Sequence, residues 1–175
     1  MDRQELLQRL KDLDEEASLL FDPGQRLKVI LVGGGALVLL ELLSRATHDL
    51  DVLDASRQLQ SIMGAYDMNA NVQTYVNNFP YNYETRVVKL MEGKLIDFYS
   101  ASLEDIVIAK LYSFRATDHA DITDPAIVQN LDWELLHHLA VDDGEAHSSA
   151  LNETRYQEFL QTFYEYERSY RPCEG

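Results

Sequence analysis

The stretch Val32–Leu53, VGGGALVLLELLSRATHDLDVL, constrains the fold more than any other part of the chain. It opens at the end of an apolar run, residues 27–32, with three consecutive glycines, Gly33, Gly34 and Gly35. Helix formers follow from Ala36 to Leu43, and Thr47-His48-Asp49-Leu50-Asp51-Val52 closes the stretch. The pattern reads as strand, glycine turn, helix, strand. A strand repeats its side-chain direction every second residue, so Asp49 and Asp51 share a face. Two carboxylates that close repel each other and are costly to desolvate, and a divalent cation, most often Mg²⁺, is the usual justification. Glycines let a ligand's phosphates approach the backbone, and the N–H groups of a helix start point at them. Phosphate on one side and metal on the other make a phosphoryl-transfer site.

The chain length fits one domain, or one domain with a helical extension. An apolar content of 46% suffices for a core. No apolar run approaches the length of a membrane span, and the charged, amphipathic N-terminus is unlike a signal peptide. The only cysteine is Cys173, so no disulfide framework exists and a reducing cytoplasm is the expected location. His, Cys and acidic residues lack zinc-finger spacing. The net charge of −15 is uneven: residues 1–115 carry 17 acids and 12 bases, residues 116–175 carry 13 acids and 3 bases. Such a surface repels nucleic acid unless a basic patch or bound Mg²⁺ offsets it, and it also favours solubility.

Along the chain, Leu6, Leu7, Leu10, Leu13, Ala17 and Leu20 mark a surface helix over 2–20. Residues 27–32 are apolar on both faces, as in a central strand. Residues 55–70 read as a helix with Leu59, Ile62, Met63 and Tyr66 inward, and 71–82, with Asn71, Asn77, Asn78 and Pro80, as a loop or short helix. The runs 83–91 and 94–100 flank Glu92-Gly93 and predict a hairpin. Asp97 lies in its second strand between Ile96 and Phe98. Ser102 caps a helix reaching about Ala116, with Leu103, Ile106, Val107, Leu111 and Phe114 on its apolar stripe. Lys110 lies on the same stripe, where a lysine must snorkel or meet an anion. The remainder reads as helical, with His137-His138 as surface histidines, a polar link over 141–149 and a last helix over 152–170 that carries an aromatic stripe.

The glycine pair followed by Asp-Leu-Asp resembles the DNA polymerase beta-like nucleotidyltransferases. The wording GG-x-AL (Gly33, Gly34, Ala36, Leu37) and R-x-T-x-DLD (Arg45, Thr47, Asp49, Leu50, Asp51) resembles their small prokaryotic branch, which includes the AbiEii-type toxins. No serine follows the glycine pair, and the spacer is at the long end of the pattern. The resemblance covers about residues 27–125. It implies an α/β (α+β) fold, a small mixed sheet flanked by helices, over residues 1–125, with a helical C-terminal extension over 126–175. It further implies a nucleoside triphosphate (NTP) on Gly33, Gly34 and Gly35 near Thr47, and two Mg²⁺ ions on Asp49 and Asp51. Asp97 would be the third carboxylate and a candidate general base; the other reading is an exposed strand aspartate. Lys110 would meet the phosphates, with Arg115, Asp118 and Asp121 in the same region.

Two functions follow. The first is Mg²⁺-dependent transfer of a nucleoside monophosphate to a hydroxyl of RNA, tRNA among the candidates, or of a protein, by a toxin restrained by an antitoxin partner. The second is a nucleotide- or protein-binding module on the same fold that has lost turnover. A dinucleotide-binding fold fits poorly, because Val38 stands where a third glycine or alanine belongs.

Overall fold

Asp2 begins α1 (Arg3–Leu20) with a reciprocal cap: its carboxylate accepts from the Glu5 amide at 2.9 Å, and Glu5 Oε2 accepts from the Asp2 amide at 2.7 Å. The structure, a computed structural model, describes residues 1–70, 78–113, 115–142 and 153–174. Leu6, Leu10, Leu13 and Ala17 on α1 are fully buried. Asp14 is buried on the same helix and takes three backbone N–H groups: Lys94 at 2.7 Å, Leu95 at 2.9 Å and Ile96 at 2.9 Å. A carboxylate is tolerable in a core when its lone pairs are filled in this way. It sits so close to Gly93 that no Cβ fits there.

Those amides belong to the turn between β4 (Val88–Glu92) and β5 (Ile96–Ser100), the expected hairpin. With β1 (Leu27–Val32), β2 (Leu50–Ala55) and the two-residue β3 (Met68–Asn69), the described strands form one mixed sheet in the order β3-β2-β1-β5-β4. β1 is central, antiparallel to β2 and parallel to β5. Every residue of β1 except Lys28 is buried, as its two-sided apolar pattern requires.

Three local expectations change. The helix after β1 is α2 (Gly33–Leu39); it begins on the glycines themselves and ends before Leu43, at Leu40 and the left-handed Glu41. The expected helix over 55–70 is replaced by the end of β2, two 3₁₀ turns (Arg57–Ser61 and Met63–Tyr66) and β3. Left-handed Asp67 halts the second turn, while Leu59 and Met63 do point inward. The segment expected as the first hairpin strand begins instead with a 3₁₀ turn, Tyr83–Arg86.

The described chain divides into two compact units: Met1–Val72 with Arg86–Ala101, which holds the sheet, and Gln73–Thr85 with Ser102–Gly175. In the second, Ser102 caps α3 (Leu103–Leu111) by accepting from the Asp105 amide at 3.1 Å. α4 (Ala116–Thr123), α5 (Pro125–Asn130), α6 (Trp133–His137), a π-helical turn (His138–Asp142) and α7 (Glu153–Tyr170) follow. α3 ends at Leu111 rather than near Ala116, because Arg115 is extended and starts α4. Phe159, Phe163 and Tyr166 of α7 are buried, and Phe159 stacks on Tyr112 with ring centroids 4.2 Å apart. Phe159, Phe163 and Tyr166 are therefore core, while Tyr164 is exposed. Burial raises the Tyr166 phenol's pKa, and its hydroxyl donates to the Ile122 carbonyl at 2.6 Å. Asn71, Asn77, Phe114, Asn152 and most of the polar link, 143–149, lie outside the described residues. Among the described residues, no helix is long and apolar enough to cross a membrane.

Candidate active site at the glycine turn

Val32 leaves β1 extended and hands the chain to Gly33, whose φ of +73° lies in the left-handed region that favours glycine. A Cβ there would stand 2.7 Å from Asp51 Oδ2. At Gly35 a Cβ would stand 2.7 Å from Leu50 Cδ2 and 3.1 Å from the Asp49 carbonyl oxygen. At Gly34 it would run into the guanidinium of Arg45 at Nη2. Segment 45–51 thus lies directly on the start of α2. The sequence pattern assigns the glycines' bare space to a ligand's phosphates, but these three positions are filled by the protein's own Asp51, Arg45, Leu50 and Asp49. Gly33 and Gly35 are required first by this close packing, while Gly34 faces only the flexible end of Arg45.

The same packing places the Asp51 carboxylate and the Asp49 backbone at the turn. β1–β2 pairing sets Asp51 opposite Val32, the last residue before the glycines. Asp51 is half-buried, and Asp49 is exposed one residue before β2 begins. Buried Thr47 donates its hydroxyl to the Asp49 carbonyl at 3.2 Å, so its side chain braces the acidic segment.

Asp97 does not join this pair. β1–β5 pairing sets it beside Lys28, four residues from Val32, which is about 13 Å along the strand at about 3.3 Å per residue. There its carboxylate accepts from Arg26 Nη2 at 2.5 Å and lies 3.7 Å from Lys89 Nζ. Among the described residues, no group of three or more His, Cys, Asp and Glu is placed to hold a metal ion. At phosphate-transfer sites Mg²⁺ is commonly held by only one or two carboxylates together with substrate phosphates and water.

Lys110 belongs to the second unit and meets anions of the protein itself. Its side chain is 7% exposed, and Nζ lies 2.6 Å from Asp118 Oδ1 and 3.1 Å from Asp121 Oδ2. Asp118 also accepts from Arg115 Nε at 2.8 Å and Ser113 Oγ at 2.6 Å. Burial would push the Asp118 carboxyl upward, but hydrogen bonds from Arg115, Lys110 and Ser113 outweigh it and hold the group at about 2. Arg115, exposed, and Asp118, buried, form an i,i+3 pair that joins the buried Lys110–Asp118–Asp121 network to the surface.

A family model described as a nucleotidyltransferase of unknown function (DUF6036) matches residues 8–171. The chain belongs to this nucleotidyltransferase family. Its match runs through both compact units, from within α1 to just past α7. No match is found among curated proteins or among solved structures. Arg45, named in the motif but given no role by the sequence, is the side chain that the structure sets on the glycine turn. Its place in the polar run four residues before Asp49 is visible in the sequence, but its contact with Gly34 depends on how α2 ends.

Proposed function

We propose that this nucleotidyltransferase moves a nucleoside monophosphate from an NTP to a hydroxyl of RNA or protein, with Mg²⁺ as cofactor. The observation that supports the reading most directly is the Asp49–Asp51 segment packed on the glycine turn. It sets the Asp51 carboxylate against Gly33 and the Asp49 backbone against Gly35, next to the point where the chain turns from β1 into α2. Asp49 and Asp51 would hold the metal, which when bound offsets charge on the phosphates of substrate and leaving group. With two protein carboxylates instead of three, the nucleotide's own phosphates would supply further ligands to the metal. The acceptor oxygen bonds to the α-phosphorus, the bond from that phosphorus to the β-phosphate bridge breaks, pyrophosphate leaves with the electron pair, and the hydroxyl proton passes to water. The Asp51 carboxylate lies against Gly33, and the backbone amides of the turn would orient the phosphates.

The likeness of the motif to the AbiEii-type group extends the proposal to a cytoplasmic toxin that modifies RNA, tRNA among the candidates, and is checked by an antitoxin protein. A second reading, a binding module without turnover, is favoured by the engagement of Asp97 with Arg26 and of Lys110 with Asp118 and Asp121. Incubation with Mg²⁺, each α-labelled triphosphate, and total RNA or protein separates the two. Label in a macromolecule, lost in Asp51→Asn, is the expected result; triphosphate binding with no label transferred to any acceptor sinks the enzyme reading and favours the module.

A further inference from the structure

Arg45 is exposed, yet its guanidinium is set against the backbone of Gly34, in space that a Cβ would occupy. Its Nη1 donates to the Ala46 carbonyl at 3.2 Å. The neighbouring glycine, Gly33, has the Asp51 carboxylate in the corresponding space. One cation and one anion are thus seated on consecutive residues of the turn between β1 and α2. An incoming triphosphate carries several negative charges toward Asp49 and Asp51, in a chain whose net charge is already −15. Metal ions offset part of that repulsion. Lys110, the cation singled out from the sequence, has two buried carboxylates as its partners.

We propose that Arg45 is the side chain that binds the polyphosphate of the nucleotide and makes the site select triphosphates over monophosphates. This rests on the nucleotidyl-transfer reading and adds a residue to it. A planar guanidinium presents paired N–H donors that match two phosphate oxygens at once, which an ammonium does not. Gly34 serves the guanidinium: without a Cβ it leaves room for Arg45 Nη2 against the turn.

The test is titration of the full chain, with Mg²⁺, against ATP, GTP, CTP, UTP and the four monophosphates, for wild type, Arg45→Met and Arg45→Lys, with a thermal melt of each. Arg45→Met is expected to weaken the best triphosphate by about 10-fold or more and leave its monophosphate unchanged, with Arg45→Lys in between. Should Arg45→Met melt far below wild type, Arg45→Lys, which keeps the charge and loses the paired donors, carries the comparison. Triphosphate affinity within twofold of wild type in a folded variant overturns the role of Arg45 while the nucleotidyl-transfer reading stands. Equal losses for tri- and monophosphate also overturn it, since Arg45 would then only shape the turn. A wild type that binds no triphosphate overturns both.

Discussion

Lys110 is the residue whose surroundings most change what a substitution should do. On sequence alone it could snorkel, and a methionine would then be harmless. In the structure its removal strands Asp118 and Asp121, both buried, without their shared cation. Lys110→Met is therefore expected to lower stability by about 3 kcal/mol or more in denaturant melts, and adding Asp118→Asn should recover part of the loss. A wild-type midpoint for Lys110→Met would mean that the network contributes nothing. The same network sets an acid limit. The folded Asp118 carboxyl sits at about 2, below its ordinary 3.8, so its contribution is fully present above pH ~4 and is lost as pH falls toward 2. The contribution is about 2 kcal/mol, because each tenfold change in proton affinity is worth about 1.4 kcal/mol. Melts between pH 5 and pH 2 should show Asp118→Asn with a shallower acid slope than wild type. An identical slope would place the acid sensitivity in other carboxylates.

Among the elements, the turn into α2 gives the sharpest contrast. Three adjacent glycines face three different obstacles, so three alanine substitutions should differ. Gly33→Ala combines a left-handed φ with a collision at Asp51 and should cost about 1–2 kcal/mol. Gly35→Ala meets Leu50 and the Asp49 backbone, packed groups that cannot swing away, and should cost about 1–3 kcal/mol. Gly34→Ala meets only the far end of the flexible Arg45 side chain and should leave stability within about 0.5 kcal/mol of wild type in thermal melts. Equal losses at all three would remove the distinction between backbone strain, core collision and side-chain displacement. These differences are not legible in the sequence. It announces a turn that tolerates close approach, but not which group approaches. The same holds for Asp97. Its hydrophobic-Asp-hydrophobic setting correctly marks a strand, yet the pairing of β5 with β1, which sets it beside Lys28, is a property of two strands and leaves no local pattern.

At the scale of the whole molecule, what is legible is what repeats. The leucine spacing of α1, the doubly apolar β1, the Glu92-Gly93 hairpin and the aromatic spacing of α7 each carry a period, and each forms. Residues 57–66 carry a helix-like period but form 3₁₀ turns, and the two-residue β3 is too short to show one. The ion pairs of Lys110 have no period to betray them. How the sheet unit opens is set by a contact of the same unpatterned kind. Asp14 on α1 accepts the amides of Lys94, Leu95 and Ile96, about eighty residues along the chain. Those three protons stay bonded to Asp14 while α1 stays docked, however readily a hairpin tip frays on its own. In native-state hydrogen exchange they should fall into the slow, cooperative group of α1 rather than the fast group of turns. Asp14→Ala should move all three into the fast group together and cost about 3 kcal/mol. Fast exchange of these amides in the wild type would show that the helix and the hairpin open independently.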